Sequence, residues 1–448
     1  MTDGLALVAL FVLAGCAKGQ TTAAGNKTCK CFLGEACWPS DQEWSNFNAT
    51  VGGRLIKTVP LGSPCHYPDY DATLCEVLQS EWLFPPVYIN SFPSVQDPIC
   101  ANASCDPFTP QKTSCMLGNY VRYTVNVTGP DDIAATIQFA DENNIRLVIR
   151  NTAHDYLGRS TGAVGLAIWT HYLQGVEVKD WSDADYTGKA VKLVAGAQGL
   201  WALDASCAVG LVVVTGECPT VGIAGGYTHS PLSTAFGLSA DNTLEFGSSD
   251  GRWGVRHRKP ILARTRRPLL GTQWHAASFT IARSYLDYSA IANAWHAALP
   301  DILDSGTMAT YYAEKDLIDI FSITGYNRTQ ADLEDALVPF IESMAAMNVS
   351  RFADPTRRAV PFSRMLATQD NITDVVMPII EQVTPNAGAY INEADFQPKD
   401  WQDVFFGSND VKLLAIKGRY DPKGLFYNQL AVGSERWKIL EDGRMCEA

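Results

Sequence analysis

The sequence predicts an α+β fold, and three observations carry that expectation. From Asn119 onward, segments with strand patterning alternate with segments of helical period. Two apolar runs, rich in β-branched residues, each stop abruptly at a loop crowded with hydrogen-bond donors or glycine. Beyond Ala276, apolar residues recur at helical spacing and mark a second, mainly helical unit.

The chain opens with an apolar run, Leu5 to Leu13, that ends in the small residues Ala14-Gly15-Cys16-Ala17 and is too short to span a bilayer. Residues 1–17 therefore read as a signal peptide of a secreted chain, with no membrane anchor expected. No Lys or Arg precedes the run, which keeps a buried first strand open as the alternative. Residues 18–118 are rich in Cys, Pro and Trp, with little helical period, and are expected to form a stapled extension wrapped on the next unit. Tyr120–Val127 then reads as a strand and Pro130–Asn143 as a helix, with Pro near its start and Ile133, Ile137 and Ala140 on one face. Ile145–Ile149 is the next strand, Ala190–Ala195 another, Leu200–Val209 a helix, and Leu211–Thr215 a strand leading to Cys218.

The two loops carry the chemistry. Arg150-Asn151-Thr152-Ala153-His154-Asp155-Tyr156-Leu157-Gly158-Arg159-Ser160 has a donor density suited to a phosphate-bearing cofactor, the alternative being a polar spacer at a strand end. Gly216-Glu217-Cys218-Pro219-Thr220-Val221-Gly222-Ile223-Ala224-Gly225-Gly226 is glycine-rich, so its backbone can approach a ligand and offer N–H groups. Together they imply one large cofactor. Gly222-x-x-Gly225 lacks the first glycine of the dinucleotide fingerprint, so a Rossmann fold is not expected.

These loops and the C-terminal Asp421-Pro422-Lys423-Gly424-Leu425-Phe426 resemble the fungal FAD-linked oxidases of the vanillyl-alcohol oxidase and berberine-bridge-enzyme superfamily, in particular a secreted branch labelled isoamyl alcohol oxidase-like. The resemblance runs from about Cys29 to Cys446. It implies a two-part FAD-binding domain of PCMH type over residues 119–250, a substrate-covering domain over 276–385, and a segment, 386–448, that returns to the FAD domain. It also implies FAD bound by Arg150, Asn151, Thr152, His154, Asp155, Gly158, Arg159, Ser160, Gly216, Cys218, Val221, Gly222, Gly225 and Gly226. His154 would bond to the 8-methyl group of the isoalloxazine and Cys218 to its C6. Tyr390 matches the tyrosine of the family's Tyr-x-Asn motif, and Glu393 stands where many relatives have a second Tyr; either is a candidate catalytic base, and a packed strand-end tyrosine is the alternative for Tyr390. The implied reaction converts an alcohol to a carbonyl, with dioxygen as electron acceptor and hydrogen peroxide as product.

Three departures from the family pattern stand out. Ala153 occupies a position where relatives carry Gly, Tyr227-Thr228 runs straight into His229 without a glycine-rich insert, and the segment 251–275 is atypically basic. Arg252, Arg256, Arg258, Lys259, Arg264, Arg266 and Arg267 crowd that segment. A polyanion patch, a solvated loop and a stretch foreign to the fold are its possible readings, the last being favoured. In the covering unit, Tyr285, Tyr288, Ile291, Ala292 and Trp295 form one apolar stripe, and Leu333, Leu337, Phe340 and Ile341 a second after Thr329. Only a stretch near Tyr311 and Ile318–Thr324 reads as sheet, so this domain looks shortened.

Bulk properties set the remaining bounds. A net charge of -13 over 448 residues argues against nucleic acid and suits a small neutral substrate. Sequons at Asn26, Asn48, Asn102, Asn126, Asn327, Asn348 and Asn371 suggest N-linked glycans. Of twelve cysteines, loss of Cys16 with the signal leaves an odd number; with Cys218 on flavin, ten remain for five disulfides of undetermined pairing. A free buried thiol is the alternative for Cys218, and the spacings of Cys29-x-Cys31 and Cys100-x4-Cys105 do not suit zinc. Two further functional readings stay open: a catalytically inactive, truncated family member serving as a secreted glycoprotein, and a glycan-binding module with Trp38, Trp44 and Trp82 as stacking platforms.

Overall fold

The computed structural model describes residues 28–82, 84–96, 101, 105–216, 218–229, 232–233, 237–245, 261–264, 274–282, 288–314, 317–326, 328–347 and 362–448. The expected signal peptide, Cys16, Cys100, Tyr285 and the sequons at Asn26, Asn102, Asn327 and Asn348 lie outside the described residues, as does most of the basic segment.

The first sheet positions the site. Its strands are β1 (Leu55–Lys57), β2 (Tyr123–Asn126), β3 (Leu147–Arg150) and β4 (Leu166–Trp169), in the order β1-β2-β4-β3. β2, β4 and β3 run parallel, and β1 is antiparallel to β2. The Pro130–Glu142 helix connects β2 to β3, with Pro at its first turn and Asp131 and Asp132 beside its positive end. Its Ile137 and Ala140 join Val125, Leu147, Leu166 and Ile168 in one core. β4 is buried at all four positions, as a strand covered on both faces must be. Because β4 lies between β2 and β3, the loop after β3 leaves the carboxyl edge of the parallel strands, where ligands of open α/β sheets gather.

The 28–118 region is less irregular than its composition suggests. Helices occupy Asp41–Thr50, Ala72–Glu81 and Pro85–Ile89, and β1 extends the first sheet. The start signals are local: a capping box between Ser40 and Glu43, the Asp71 carboxylate accepting from Leu74 N, and Pro85-Pro86 in a first turn. Trp44 and Phe47 share one helical face and pack on Tyr123 and Phe139. Trp44 is only 5% exposed, so the row of stacking platforms that a glycan-binding module would need is not present.

A second, antiparallel sheet has the order β5-β6-β10-β9, from Val176–Ser182, Thr187–Leu193, Ile261–Arg264 and Thr243–Glu245. β10 comes from the basic stretch and pairs with both β6 and β9, so this part is integral to the sheet and not foreign to it. Between β9 and the preceding loop, β7 (Leu232–Ser233) and β8 (Gly237–Leu238) form a short ribbon. The Gly199–Cys207 helix matches the expected one, but Leu211–Thr215 is not a strand. Leu211 N instead donates to Ser206 O, closing the end of the helix, and Val213 packs into the core beside Leu193 and Ile223.

The third sheet is antiparallel, in the order β11-β13-β12: Trp274–Ala282, Leu317–Tyr326 and Thr307–Glu314. It is larger than the Tyr311 and Ile318–Thr324 signals imply. Helices Tyr288–Asp304 and Gln330–Ala346 supply Ile291, Trp295, Ile302, Leu333, Leu337, Phe340 and Met344 to a core with Ile318, Ile320 and Ile323. Ile341, expected on that stripe, is 53% exposed; Met344, a turn beyond Phe340, takes the inward position.

The C-terminal segment returns to the first sheet, where Phe426 makes a parallel bridge with Leu147 and Leu425 enters the core. Asp421 shapes this return: its carboxylate accepts from Leu425 N and Phe426 N and pairs with Lys417 at 2.6 Å. Among the described residues four disulfides join Cys29–Cys446, Cys31–Cys37, Cys65–Cys75 and Cys105–Cys115. Among the described residues Cys207 and Cys218 are free thiols, so an expected fifth bond through Cys207 is not formed. Cys31, Glu35 and Cys37 cluster closely enough for a metal, but both thiols are consumed in a disulfide. No helix among the described residues is long and apolar enough to cross a membrane.

Candidate functional site

The loops after β3 and after the Gly199–Cys207 helix meet face to face. Gly222 is where they touch. Its N–H donates to Thr152 Oγ1 at 3.3 Å, and any Cβ at this position would collide with the Asn151 side chain, which explains the glycine. Asn151 Nδ2 donates to Ala195 O at 2.9 Å, while Gly222 bridges to Gln198 and Val221 O accepts from Gly199 N. Val221 also packs beside Gly216 and against Gly226.

At the mouth of this contact His154 Nε2 lies 2.8 Å from Thr220 Oγ1 and 4.0 Å from Cys218 Sγ. Thr220 Oγ1 is in turn 3.4 Å from Cys218 Sγ. These contacts, led by the bond to His154, outweigh burial and bring the Cys218 thiol down to about 7. Ala153, just before His154, has φ +59° in a buried position, the left-handed geometry that favours glycine.

Asp155 braces the rest of its loop by accepting from Arg159 N at 2.6 Å and from Ser160 Oγ. Gly158 supplies the positive φ, +66°, that turns the chain between them. The Arg159 guanidinium donates to Asn392 Oδ1, and burial lowers its pKa. Asn392 Nδ2 donates to Gly226 O at 3.0 Å and to Tyr390 Oη at 2.7 Å, and Tyr390 Oη donates to Gly226 O at 3.1 Å. Burial raises the Tyr390 pKa, keeping it a protonated phenol at neutral pH. Three distant stretches of sequence thus converge.

Two predicted residues stand apart. Glu393 is exposed. Arg150 is fully buried and its guanidinium donates to the carbonyls of Tyr88, Ser91 and Ser94 in the N-terminal region, so its hydrogen bonds go there and not to the two loops, although the Asp155 carboxylate still acts on its charge. Of His229, the side chain lies outside the described residues. Thr220 and Asn392 were absent from the expected set. Both sat in view, Thr220 two residues after Cys218 and Asn392 as the last residue of the Tyr-x-Asn motif.

Comparison with known proteins bears on this arrangement. Residues 389–433 match the family model "Berberine and berberine like". The chain is 36% identical to the FAD-linked oxidoreductase ZEB1 of Gibberella zeae, over 96% of this chain and 96% of that protein. It is 31% identical to the VAO-type flavoprotein oxidase VAO615 of Thermothelomyces thermophilus, with 99% of each covered. The chain belongs to the VAO/BBE family of FAD-linked oxidoreductases. The crystal structure of the VAO-type flavoprotein MtVAO615 from Myceliophthora thermophila superposes with a TM-score of 0.81 at 27% identity, over 94% of this chain and all of that one. The alignment to ZEB1 extends over 550 positions against a chain of 448 residues, so that relative carries a substantial stretch with no counterpart here.

As a VAO/BBE oxidoreductase the chain uses FAD, and the residues present suit it. Asn151 Oδ1, Arg159 Nε and Tyr227 Oη are buried without a hydrogen-bond partner among the described residues, donors and an acceptor awaiting a polar ligand. Burial pushes the Tyr227 phenol up to about 12, so it too is a donor at neutral pH. A Cβ on Gly225 would meet nothing within 4 Å, leaving backbone open beside them.

Proposed function

We propose that this chain is a secreted glycoprotein oxidase that converts an alcohol, a small one or a natural-product intermediate, to a carbonyl, with dioxygen as acceptor and hydrogen peroxide as product. Its FAD is attached at two points, His154 and Cys218. The observation that carries the reading is the pair itself: an imidazole and a thiol brought down to about 7 stand 4.0 Å apart, delivered by different loops. Both are nucleophiles, and two adjacent nucleophiles at the mouth of a glycine-lined contact suit a ligand with two electrophilic positions close together. With Nε2 engaged by Thr220 and Cys218, Nδ1 is the His154 nitrogen left for a bond to carbon among the described residues.

Bound flavin supplies a hydride acceptor at N5 and passes electrons to oxygen. The protein's part is to orient and to hold protons. Arg159, with Asn392, fixes the C-terminal segment against the Gly226 carbonyl, and Tyr390 presents a phenol beside it. Tyr390 is the better placed of the two candidate bases, because Glu393 is exposed. The name of the relative VAO615, a flavoprotein oxidase, supports dioxygen as acceptor. The four disulfides among the described residues and the sequons at Asn48 and Asn371 support an oxidising, glycosylating compartment.

The purified protein should be yellow, keep its flavin through acid precipitation, and release peroxide with at least one member of a panel of primary, sugar and aromatic alcohols. His154→Ala and Cys218→Ala should each leave a single attachment by peptide mass. A colourless protein would instead support the second reading, a shortened and inactive family member, which the unmatched stretch of ZEB1 favours.

A further inference from the structure

Among the described residues, Thr220 is the side chain that hydrogen-bonds to both proposed attachment residues. Its hydroxyl carries a single proton, so it donates to one partner while accepting from the other. Two directions are available along the line from His154 Nε2 through Thr220 Oγ1 to Cys218 Sγ. If the thiol donated to the hydroxyl and the hydroxyl to Nε2, His154 would carry its proton on Nδ1 and both groups would be poor nucleophiles. In the opposite direction Nε2–H donates to Oγ1 and Oγ1–H donates to sulfur. That order leaves the Nδ1 lone pair free and, with the hydroxyl 3.4 Å from the sulfur, supports a thiolate; the His154 imidazole 4.0 Å away is the larger influence that lowers the thiol pKa, and the Thr220 hydroxyl adds to it.

We propose that Thr220 is a positioning residue that, through one hydroxyl, holds His154 as the Nε2–H tautomer and Cys218 as a thiolate, making both nucleophilic before flavin arrives. The inference rests on the two-point attachment proposed above for its purpose, but not for its geometry. Val221 N donates to Cys218 O at 3.2 Å and Gly199 N to Val221 O at 3.0 Å, so the backbone around Thr220 is pinned independently of its hydroxyl. Removal of the hydroxyl should therefore change proton positions more than chain path.

The test uses the full chain, expressed under riboflavin limitation so that a measurable fraction of Cys218 is unmodified. Iodoacetamide labelling of the Cys218 peptide is followed by mass spectrometry from pH 5 to pH 9, with the exposed Cys207 in the same molecule as internal reference. Wild type should show half-maximal labelling near pH 7. Thr220→Val should move that midpoint up by about one unit, slowing labelling at pH 7 about fivefold, while Cys207 labels as before. Thr220→Ser should restore the wild-type profile, and Thr220→Ala should behave as Val, which covers the case in which Val disturbs the fold. Superimposable Cys218 profiles in wild type and Thr220→Ala, with Cys207 unchanged, would overturn the proposal. The flavin peptides of the same preparations provide a separate readout: absence of attached flavin in wild type, with the labelling shift still present, would remove two-point attachment and leave the positioning role standing.

Discussion

Arg150 Nη2 donates to Ser91 O at 2.6 Å across a separation of 59 residues, tying the end of β3 to the N-terminal region. The same guanidinium reaches Tyr88 O and Ser94 O. Five donors on one rigid fork are what three divergent carbonyls require, and a lysine cannot reproduce them. Arg150→Lys and Arg150→Met should therefore both destabilise, by about 3 kcal/mol or more, since buried carbonyls lose charged partners. Urea denaturation checks this; stability within about 0.5 kcal/mol of wild type would contradict the assignment.

Asp132 provides a pH dependence. Its carboxylate accepts from Thr128 N and Oγ1 at 2.8 Å and from Arg54 at 2.5 Å, which together hold its pKa below the usual carboxylate value despite burial. A depressed folded-state pKa means stability that is present above the unfolded-state value and is lost as pH falls through the folded one. Asp132→Asn should therefore flatten the acid limb of the stability curve below about pH 4, while lowering stability at pH 7. An unchanged acid limb in thermal melts would sink this.

At Ala153 the positive φ is a test of backbone strain. A β-branched side chain tolerates the left-handed region poorly, so Ala153→Val should cost about 2 kcal/mol or more. Ala153→Gly relieves the strain but gives up a buried methyl and chain stiffness, so it should lie within about 1 kcal/mol of wild type. Paired melting curves decide the order; equal losses for Val and Gly would contradict it.

Asn392 joins Arg159, Tyr390 and Gly226 O. Asn392→Leu should strand a buried guanidinium and uncouple the C-terminal segment, lowering flavin content more than thermal stability. Absorbance at the flavin band per mole of protein measures the effect. Asn392→Asp, which keeps an acceptor for Arg159, should retain more flavin than Leu.

Local signals in the sequence reached the elements they govern. Pro130 with its apolar face marked the first crossover helix, and the β-branched Ile145–Ile149 run marked β3 to within a few residues. Thr329 with Asp332 forms the capping box that starts the Gln330–Ala346 helix. Signals that depend on a partner were harder to read. Leu211–Thr215 has the composition of a strand, but its backbone is drawn to the end of a helix. Arg150 looked like its neighbours Asn151 and Thr152, because the carbonyls of Tyr88, Ser91 and Ser94 that take its guanidinium come from a region 56 to 62 residues away in sequence. Tyr390 and Asn392 met Gly226 only through the fold, more than 160 residues away in sequence, with separations of 164 and 166.

The Cys29–Cys446 bond spans 417 residues, and around it Lys30 N donates to Met445 O and Glu447 N to Thr28 O. Nearly the whole described chain is thereby a single covalent ring. A protease cut in any surface loop between those cysteines opens the ring without releasing a fragment. Clipped and intact molecules should then migrate together until a reductant is added, and damage to this protein would pass unnoticed on a non-reducing gel.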